Sequence, residues 1–126
     1  MKKYIFLFLA LFVFQNTFAQ KITSVNVTWT TGAEHDYGDQ LKVDKTYSFD
    51  FKFVNKSDAP ILIENVRTEC GCTVPTWSDE FIKPNEESTI HVEFDAEKKE
   101  MFRKKITVWF DHVKKPEVLW IEGEVQ

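Results

Sequence analysis

Apolar side chains recur at every second position in this sequence, and that period constrains the fold more than any other feature. In residues 47–53 (YSFDFKF) every odd position is aromatic and every even position is polar or charged. A β-strand points successive side chains to opposite faces, so this pattern predicts a strand with one buried face and one wet face. No three- and four-residue period persists anywhere after residue 20, so no amphipathic helix is expected. Six strands are predicted in total, at residues 22–29, 47–53, 61–66, 90–94, 106–110 and 119–125.

Turn-forming sequences separate the predicted strands. They lie at residues 31–32, 55–60, 83–86 and 111–116 and are rich in Gly, Pro, Asn, Asp and Lys. Short strands joined in this way favour an antiparallel sandwich, because a parallel sheet would need helical crossovers. The charged segment from Asp95 to Lys105 shows little apolar periodicity, and we expect it to be a hairpin loop or a short turn.

The first nineteen residues differ from the rest and predict a signal peptide. Lys2 and Lys3 form a basic start, residues 4–14 are apolar, and residues 17–19 (TFA) provide the small-x-small pattern of a cleavage site. The apolar run is too short to span a bilayer, and no later stretch approaches that length. We therefore expect cleavage near Ala19, an exported product in the periplasm or outside the cell, no transmembrane helix, and one domain at residues 20–126.

The charge of the mature chain argues against nucleic acid as a partner. Removing 19 of the 126 residues leaves 107, and removing two of the 16 basic residues leaves 14 against 20 acidic ones, a net charge of −6. Phosphate binding requires clustered Lys and Arg, and no basic run is present.

Cys70 and Cys72 flank Gly71 directly after a predicted strand, and four interpretations remain open for them. A disulfide suits an exported protein but requires a bend, since cysteines two apart in an extended strand are too distant. The pair could bind a soft ion such as Cu(I), with His35, His91 or His112 as the only histidines to supplement it. It could exchange thiols with another protein. The cysteines could also simply shape the loop.

No catalytic constellation is recognisable, so we expect no enzyme and no cofactor. His35 and Asp36 are adjacent, but neighbouring residues on a strand point to opposite faces and do not form an oriented acid–base pair. A structural role for both, satisfying backbone groups of a turn, is the preferred interpretation. The sequence contains no nucleophile elbow, paired carboxylate motif or glycine-rich phosphate loop.

Two tryptophans mark a candidate contact surface. Trp109 and Trp120 occupy nominally outward positions of the last two predicted strands and are expected to share a face. If that face is uncovered it could bind a partner protein or a glycan; if a loop covers it, the indoles form a second small cluster. The edge strands are a further candidate surface, because an exposed edge can pair with another chain.

Several segments together resemble the DUF1573 family of exported bacterial proteins, common in Bacteroidetes and related to immunoglobulin-like ASPM-SPD-2-Hydin domains. The segments are residues 35–38 (HDYG), 51–61 (FKFVNKSDAPI), 70–75 (CGCTVP, which includes Gly71 and Thr73), 82–86 (IKPNE) and 119–125 (LWIEGEV). Asn85 stands where the family usually has Gly, and Tyr37 stands where it has Phe. Asn tolerates the left-handed backbone and Tyr keeps the ring, so neither departure threatens the fold.

The resemblance implies an all-β, immunoglobulin-like antiparallel sandwich of about seven strands, and it implies no activity. Our leading hypothesis is therefore an exported immunoglobulin-like module that acts by binding or assembly at the cell envelope, with another envelope protein or a glycan as partner. The alternative is a metal-binding or thiol-redox protein that works through Cys70 and Cys72.

Overall fold

The computed structural model describes residues 25–126, which form eight β-strands. The predicted signal peptide and the first residues of the predicted strand at 22–29 lie outside the described residues. The strands are β1 (Val27–Trp29), β2 (Glu34–Asp36), β3 (Thr46–Asn55), β4 (Ile63–Thr68), β5 (Thr73–Trp77), β6 (Glu87–Asp95), β7 (Glu100–Phe110) and β8 (Glu117–Val125).

Two four-stranded sheets pack face to face. Sheet A has the order β1-β3-β6-β5 and sheet B the order β2-β8-β7-β4. Every neighbouring pair is antiparallel except β2 and β8, which run parallel. The predicted all-β sandwich is therefore confirmed, with eight strands where the apolar pattern predicted six and the family resemblance implied about seven.

The core lies between the sheets and is built by the period-two pattern. β3 and β6 pair in unbroken register from Thr46↔Asp95 to Val54↔Glu87, which aligns their buried positions. Sheet B contributes the inward side chains of β7 and β8 in the same way. The side chains at the centre of this core are fully buried, namely Phe51, Phe53, Ile90, Val92, Ile106, Val108, Leu119 and Ile121.

The prediction of a loop from Asp95 to Lys105 is wrong for its second half. β7 begins at Glu100, so the turn is confined to residues 96–99. Phe102 points into the core, but the next inward position holds Lys104, opposite Ile121. A lysine at an inward position interrupts the apolar alternation, and this hides the strand from a pattern search.

Two strands were absent from the prediction. β2 is three residues long, which is too short for any period to show, and β5 contains Pro75, a residue usually depleted from strands. β1 and β2 are two parts of one chain segment that crosses from sheet A to sheet B through residues 30–33, where Gly32 takes a positive φ of 78°. Each sheet thereby gains an edge strand.

Candidate functional site

The outer surfaces of the two sheets differ in chemistry, and the outer surface of sheet B carries the candidate site. We call this surface face B. The strand register brings its outward side chains together across all four strands, with Glu34 opposite Trp120, Trp120 opposite Lys105, and Arg103 opposite Glu122. Its distinctive members are Met101, Arg103, Trp109, Val118 and Trp120. Met101 is 80% exposed and Val118 is 38% exposed.

Trp109 and Trp120 lie on the same face but not side by side. Trp120 is opposite Lys105, and Trp109 lies four residues further along β7. Four residues of strand span about 13 Å, so the two indoles occupy different parts of face B. Both side chains are half-buried.

Arg103 covers the ring of Trp120. Its guanidinium carbon lies 4.5 Å from the ring centroid, a cation–π geometry. The same guanidinium donates to Glu122 at 2.9 Å and to Glu34 at 3.0 Å. These hydrogen bonds, first to Glu122 and then to Glu34, raise the pKa of Arg103. The arrangement connects β2, β8 and β7 on their outer side and leaves Trp120 without an open stacking platform on that side.

Trp109 has a different environment. With Glu64, Asn65 and Arg67 of β4 it lines a shallow pocket of about 240 Å³. The pocket lies beside a β-bulge, where the register between β4 and β7 shifts between Ile63 and Asn65. Bulges redirect side chains and interrupt pairing, so this part of face B is recessed.

The edge strands on the same side of the sandwich are poorly suited to pairing with another chain. On β4 the N–H of Val66 donates to the side-chain Oδ1 of the preceding residue, Asn65, at 2.9 Å. This hydrogen bond occupies a backbone donor of the edge strand. On β5 Pro75 has no N–H to offer. The remaining edges, β1 and β2, are three residues long. These features are the ones by which proteins prevent strand addition.

Cys70 and Cys72 form a disulfide in a turn between β4 and β5. The bend that the bond requires is present, since the two Cα atoms are 5.3 Å apart and Thr73 N donates to Cys70 O at 3.3 Å. Cys72 packs against the hydrophobic core. Thr73 is 2% exposed and its hydroxyl lies 3.8 Å from Cys70 Sγ and 3.9 Å from Cys72 Sγ.

The metal interpretation gains no support from this arrangement. The two sulfurs are bonded to each other and are not available as a pair of thiolates. Within residues 25–126 no three His, Cys, Asp or Glu side chains converge in a way that could hold a metal ion. His91 and His112 lie near carboxylates, Asp50 and Asp111 respectively, and not near the cysteines.

His35 and Asp36 are separated by the strand pleat and do not act on one another as an acid–base pair. His35 points inward and stacks on Phe49 of the opposite sheet, with ring centroids 3.6 Å apart. Burial lowers the pKa of His35, and the charge of Asp36 opposes that shift. Asp36 points outward and accepts a hydrogen bond from the N–H of Gly38 at 2.8 Å, which stabilises the following turn.

Sequence reasoning missed Arg103 and Thr68. Arg103 lies in the segment expected to be a loop. The apolar Phe102 beside it was the signal that this segment is a strand with Arg103 at an outward position. Thr68 Oγ1 lies 3.0 Å from both Cys70 O and Thr73 O and spans the cysteine turn. Its position directly before the Cys-Gly-Cys segment gives no indication of that role.

Residues 27–125 match the family described as "Protein of unknown function (DUF1573)". The chain belongs to this family. No curated protein matches the DUF1573 chain.

Solved structures with the same fold include three informative ones. A protein of unknown function from Porphyromonas gingivalis has 14% identity and a TM-score of 0.67, covering 86% of this chain and 51% of that chain. The ASH/PapD-like domain 7 of human CEP192 has 5% identity and a TM-score of 0.65, covering 90% and 93%. The secreted serine protease VesC from Vibrio cholerae has 10% identity and a TM-score of 0.57, covering 82% and 23%.

These likenesses show the fold alone, and they agree with an immunoglobulin-like sandwich. The DUF1573 chain spans about half of the Porphyromonas protein and about a quarter of the Vibrio protease. Residues 25–126 contain no helix with the length and apolar character needed to cross a membrane.

Of the two departures from the usual DUF1573 sequence, Asn85 is accommodated as expected, whereas the hydroxyl that Tyr37 adds is buried without a hydrogen-bond partner among the described residues. Asn85 adopts a φ of 66°, the left-handed conformation that Gly would otherwise supply. Tyr37 packs against His35, Tyr47 and Phe94. Burial raises the pKa of Tyr37 to about 12, so this ring serves packing and stays neutral.

Proposed function

We propose that this DUF1573 domain is a non-enzymatic, exported binding module of the bacterial cell envelope and that face B is its contact surface. The observation that carries the proposal is the chemical asymmetry between the two outer surfaces. Face B presents Trp109, Trp120, Met101 and Val118, while the outer surface of sheet A presents mainly acidic, hydroxyl, lysine and imidazole groups, with Val74 as an exposed apolar side chain among them. Trp, Met and Arg are the residue types enriched at protein interfaces.

Export is supported by two independent features. The first nineteen residues have the composition of a signal peptide. The Cys70–Cys72 disulfide suits an oxidising compartment.

A protein is a better partner for face B than a glycan. Sugar binding by stacking requires an open aromatic ring, and Arg103 covers the ring of Trp120. The pocket beside Trp109 is shallow, whereas small-ligand sites are concave and bury most of their ligand. The interrupted edges at Asn65 and Pro75 favour recognition through face B side chains over strand addition.

A photo-crosslinking experiment in the producing bacterium would test the contact surface. The full-length chain would carry a photoreactive amino acid at Thr107, in the middle of face B, or at Ser48 on the outer surface of sheet A as the matched control. We expect Thr107 to label one protein and Ser48 to label none. Trp109→Ala should reduce the labelling from Thr107 at an unchanged amount of folded protein.

Equal labelling from both positions would contradict the proposal. If the purified domain is retained on cell-wall polysaccharide and Trp109→Ala abolishes that retention, the partner of face B is a glycan and not a protein. Export is checked separately by the intact mass of the accumulated protein. A mature chain beginning near Gln20 supports export, and full-length protein in the cytosol contradicts it.

A further inference from the structure

The disulfide lies where the chain passes from one sheet to the other. The cysteine turn, residues Cys70–Thr73, connects β4 at the edge of sheet B to β5 at the edge of sheet A. The covalent loop that it closes is so short that it removes little entropy from the unfolded chain. Stapling the fold is therefore a weak explanation for this bond.

The backbone of the cysteine turn is held without the disulfide. Thr68 Oγ1 lies 3.0 Å from Cys70 O and 3.0 Å from Thr73 O. Asp95 N donates to Cys72 O at 2.8 Å, which fixes the second cysteine to β6. With the Thr73 N to Cys70 O bond, these contacts hold the backbone of both cysteines without using the bond between the sulfurs. We therefore expect the fold to persist when the disulfide opens.

Thr73 supplies a polar group aimed at both sulfurs. It is 2% exposed, and among the described residues its hydroxyl has no hydrogen-bond partners other than Cys70 Sγ and Cys72 Sγ. A buried hydroxyl normally donates a hydrogen bond to a strong acceptor. The sulfurs of a neutral disulfide are weak acceptors. A thiolate at either sulfur would be a much stronger acceptor for this O–H.

We propose that Cys70–Cys72 is a thiol–disulfide exchange site that takes two electrons from the dithiol of another exported protein, with Thr73 stabilising the thiolate that leaves. This inference is independent of face B as a binding surface, and either proposal can fail without the other.

The exchange proceeds in two balanced steps. A partner thiolate attacks Cys70 Sγ, because Cys72 is the cysteine that packs against the core. The bond between Cys70 and Cys72 breaks, a mixed disulfide forms on Cys70, and Cys72 leaves as a thiolate that accepts the Thr73 hydroxyl and later a proton. The partner's second thiolate then attacks the partner's first sulfur, the bond between that sulfur and Cys70 Sγ breaks, and Cys70 leaves as a thiolate that takes up a proton. The products are the partner's disulfide and the Cys70/Cys72 dithiol.

Reduction of the purified mature domain by dithiothreitol, followed by alkylation and intact mass, tests the first requirement. We expect complete and reversible opening of the disulfide without denaturant, with unchanged far-ultraviolet circular dichroism and a cooperative unfolding transition. Reduction that occurs only when the domain unfolds would overturn the proposal.

Two single-cysteine variants test which of the two sulfurs is more accessible to an exchange partner. Glutathione disulfide is the probe. Cys72→Ser leaves the Cys70 thiol, which should form a mixed disulfide with glutathione readily. Cys70→Ser leaves Cys72, which should react about tenfold more slowly, since thiol exchange depends on access. Equal rates, or the reverse order, would overturn the assignment of Cys70 as the attacked sulfur.

Substitution of Thr73 tests the stabilising hydroxyl. Thr73→Val should slow reduction by dithiothreitol about tenfold, the effect of losing a hydrogen bond to a charged group. Thr73→Ser restores the hydroxyl and should restore the rate. A purely structural Thr73 would alter the unfolding midpoint and leave the reduction rate unchanged, which would overturn its proposed role.

The reduced wild-type domain provides a readout that does not depend on how the variants fold. The pH dependence of its alkylation by iodoacetamide reports each thiol pKa. We expect one thiol to titrate below the ordinary value of about 8.5, because Thr73 favours its thiolate. Two thiols that both titrate as ordinary cysteines would contradict the proposal.

Discussion

The two outer surfaces of this sandwich differ although the strands that form them obey the same alternation. We call the outer surface of sheet A face A; it presents Ser48, Asp50, His91 and Glu93. His91 Nδ1 lies 2.5 Å from Asp50 Oδ1, and its Nε2 lies 3.5 Å from Glu93 Oε1. Face B presents tryptophan, methionine and a cation–π pair. The inward positions of both sheets are constrained by the shared core, whereas the outward positions are not, so the two faces can differ in chemistry while the fold stays the same.

Trp120→Ala should produce the largest change in stability on either face. The substitution removes a half-buried indole and the surface on which Arg103 rests, at a cost of about 2 kcal/mol, below the range for a fully buried Trp. Urea unfolding measures the difference, with Ser48→Ala on face A as the control at within about 0.5 kcal/mol of wild type. Equal effects of the two substitutions would remove the distinction between the faces.

Trp109→Ala should lower the free energy of unfolding less than Trp120→Ala does. It should weaken binding to the partner more than Trp120→Ala does. Its indole borders a pocket without a covering cation, so we expect a loss of about 1 kcal/mol in the free energy of unfolding. The same urea series measures that loss, and crosslinking from Thr107 measures the binding. A Trp109→Ala domain that is strongly destabilised and still labels its partner would show that Trp109 stabilises the fold and does not bind the partner.

Arg103→Lys should lower stability less than either tryptophan substitution does. Its salt dependence should show whether the loss comes from charge or from packing. Lysine keeps the charge but cannot donate to Glu34 and Glu122 in the fork geometry of a guanidinium while lying over an indole. We expect a slight decrease in the unfolding midpoint and a shift in the fluorescence of Trp120. The midpoints of wild type and variant should converge as salt is added; a difference that does not depend on salt would mean that packing, not charge, is lost.

The smallest effects should appear in the pH dependence of stability, and they should have opposite signs at two histidines. The hydrogen bond that His91 Nδ1 donates to Asp50 is the main cause that raises the pKa of His91. Its stabilisation is complete below the unfolded pKa of 6.5 and is lost as the pH rises through the higher folded pKa. Burial lowers the pKa of His35, so its contribution is complete above 6.5 and is lost as the pH falls through the lower folded pKa.

Two substitutions separate these contributions. His91→Gln should remove a decline in stability as the pH rises above 6.5, and His35→Phe, which keeps a stacked ring on Phe49, should remove a decline as the pH falls below 6.5. Urea midpoints between about pH 5 and about pH 8 provide the measurement. Wild-type pH profiles in both variants would show that neither histidine titrates differently in the folded state.

Much of the fold was predictable because one physical rule generates it. A strand between a core and water must alternate, and residues 47–53 and 90–94 do so without interruption, which predicted β3 and β6. The same parity identified Trp109 and Trp120 as outward residues. Pattern reasoning failed where the rule is broken by a particular residue, at Lys104 in β7 and at Pro75 in β5.

The chemistry of the candidate sites was less predictable because it depends on pairing between strands. Neither the cation over Trp120 nor the hydroxyl beside the sulfurs follows from neighbouring residues in the sequence. Arg103 reaches Trp120 and Glu122 only through the register of β7 and β8, and Glu34 only through β2. The disulfide required a bend that the sequence permits through Gly71 but does not impose.

The parallel pairing of β2 with β8 has a mechanical consequence. Backbone hydrogen bonds connect residues 33–41 to residues 120–126, among them Trp120 N to Ala33 O and Tyr37 N to Glu122 O, both at 2.9 Å. A tensile force between the two ends of the described chain pulls β2 and β8 in opposite directions along their axes. These bonds are then loaded together in shear and cannot be unzipped one at a time, so this pair forms a clamp against extension.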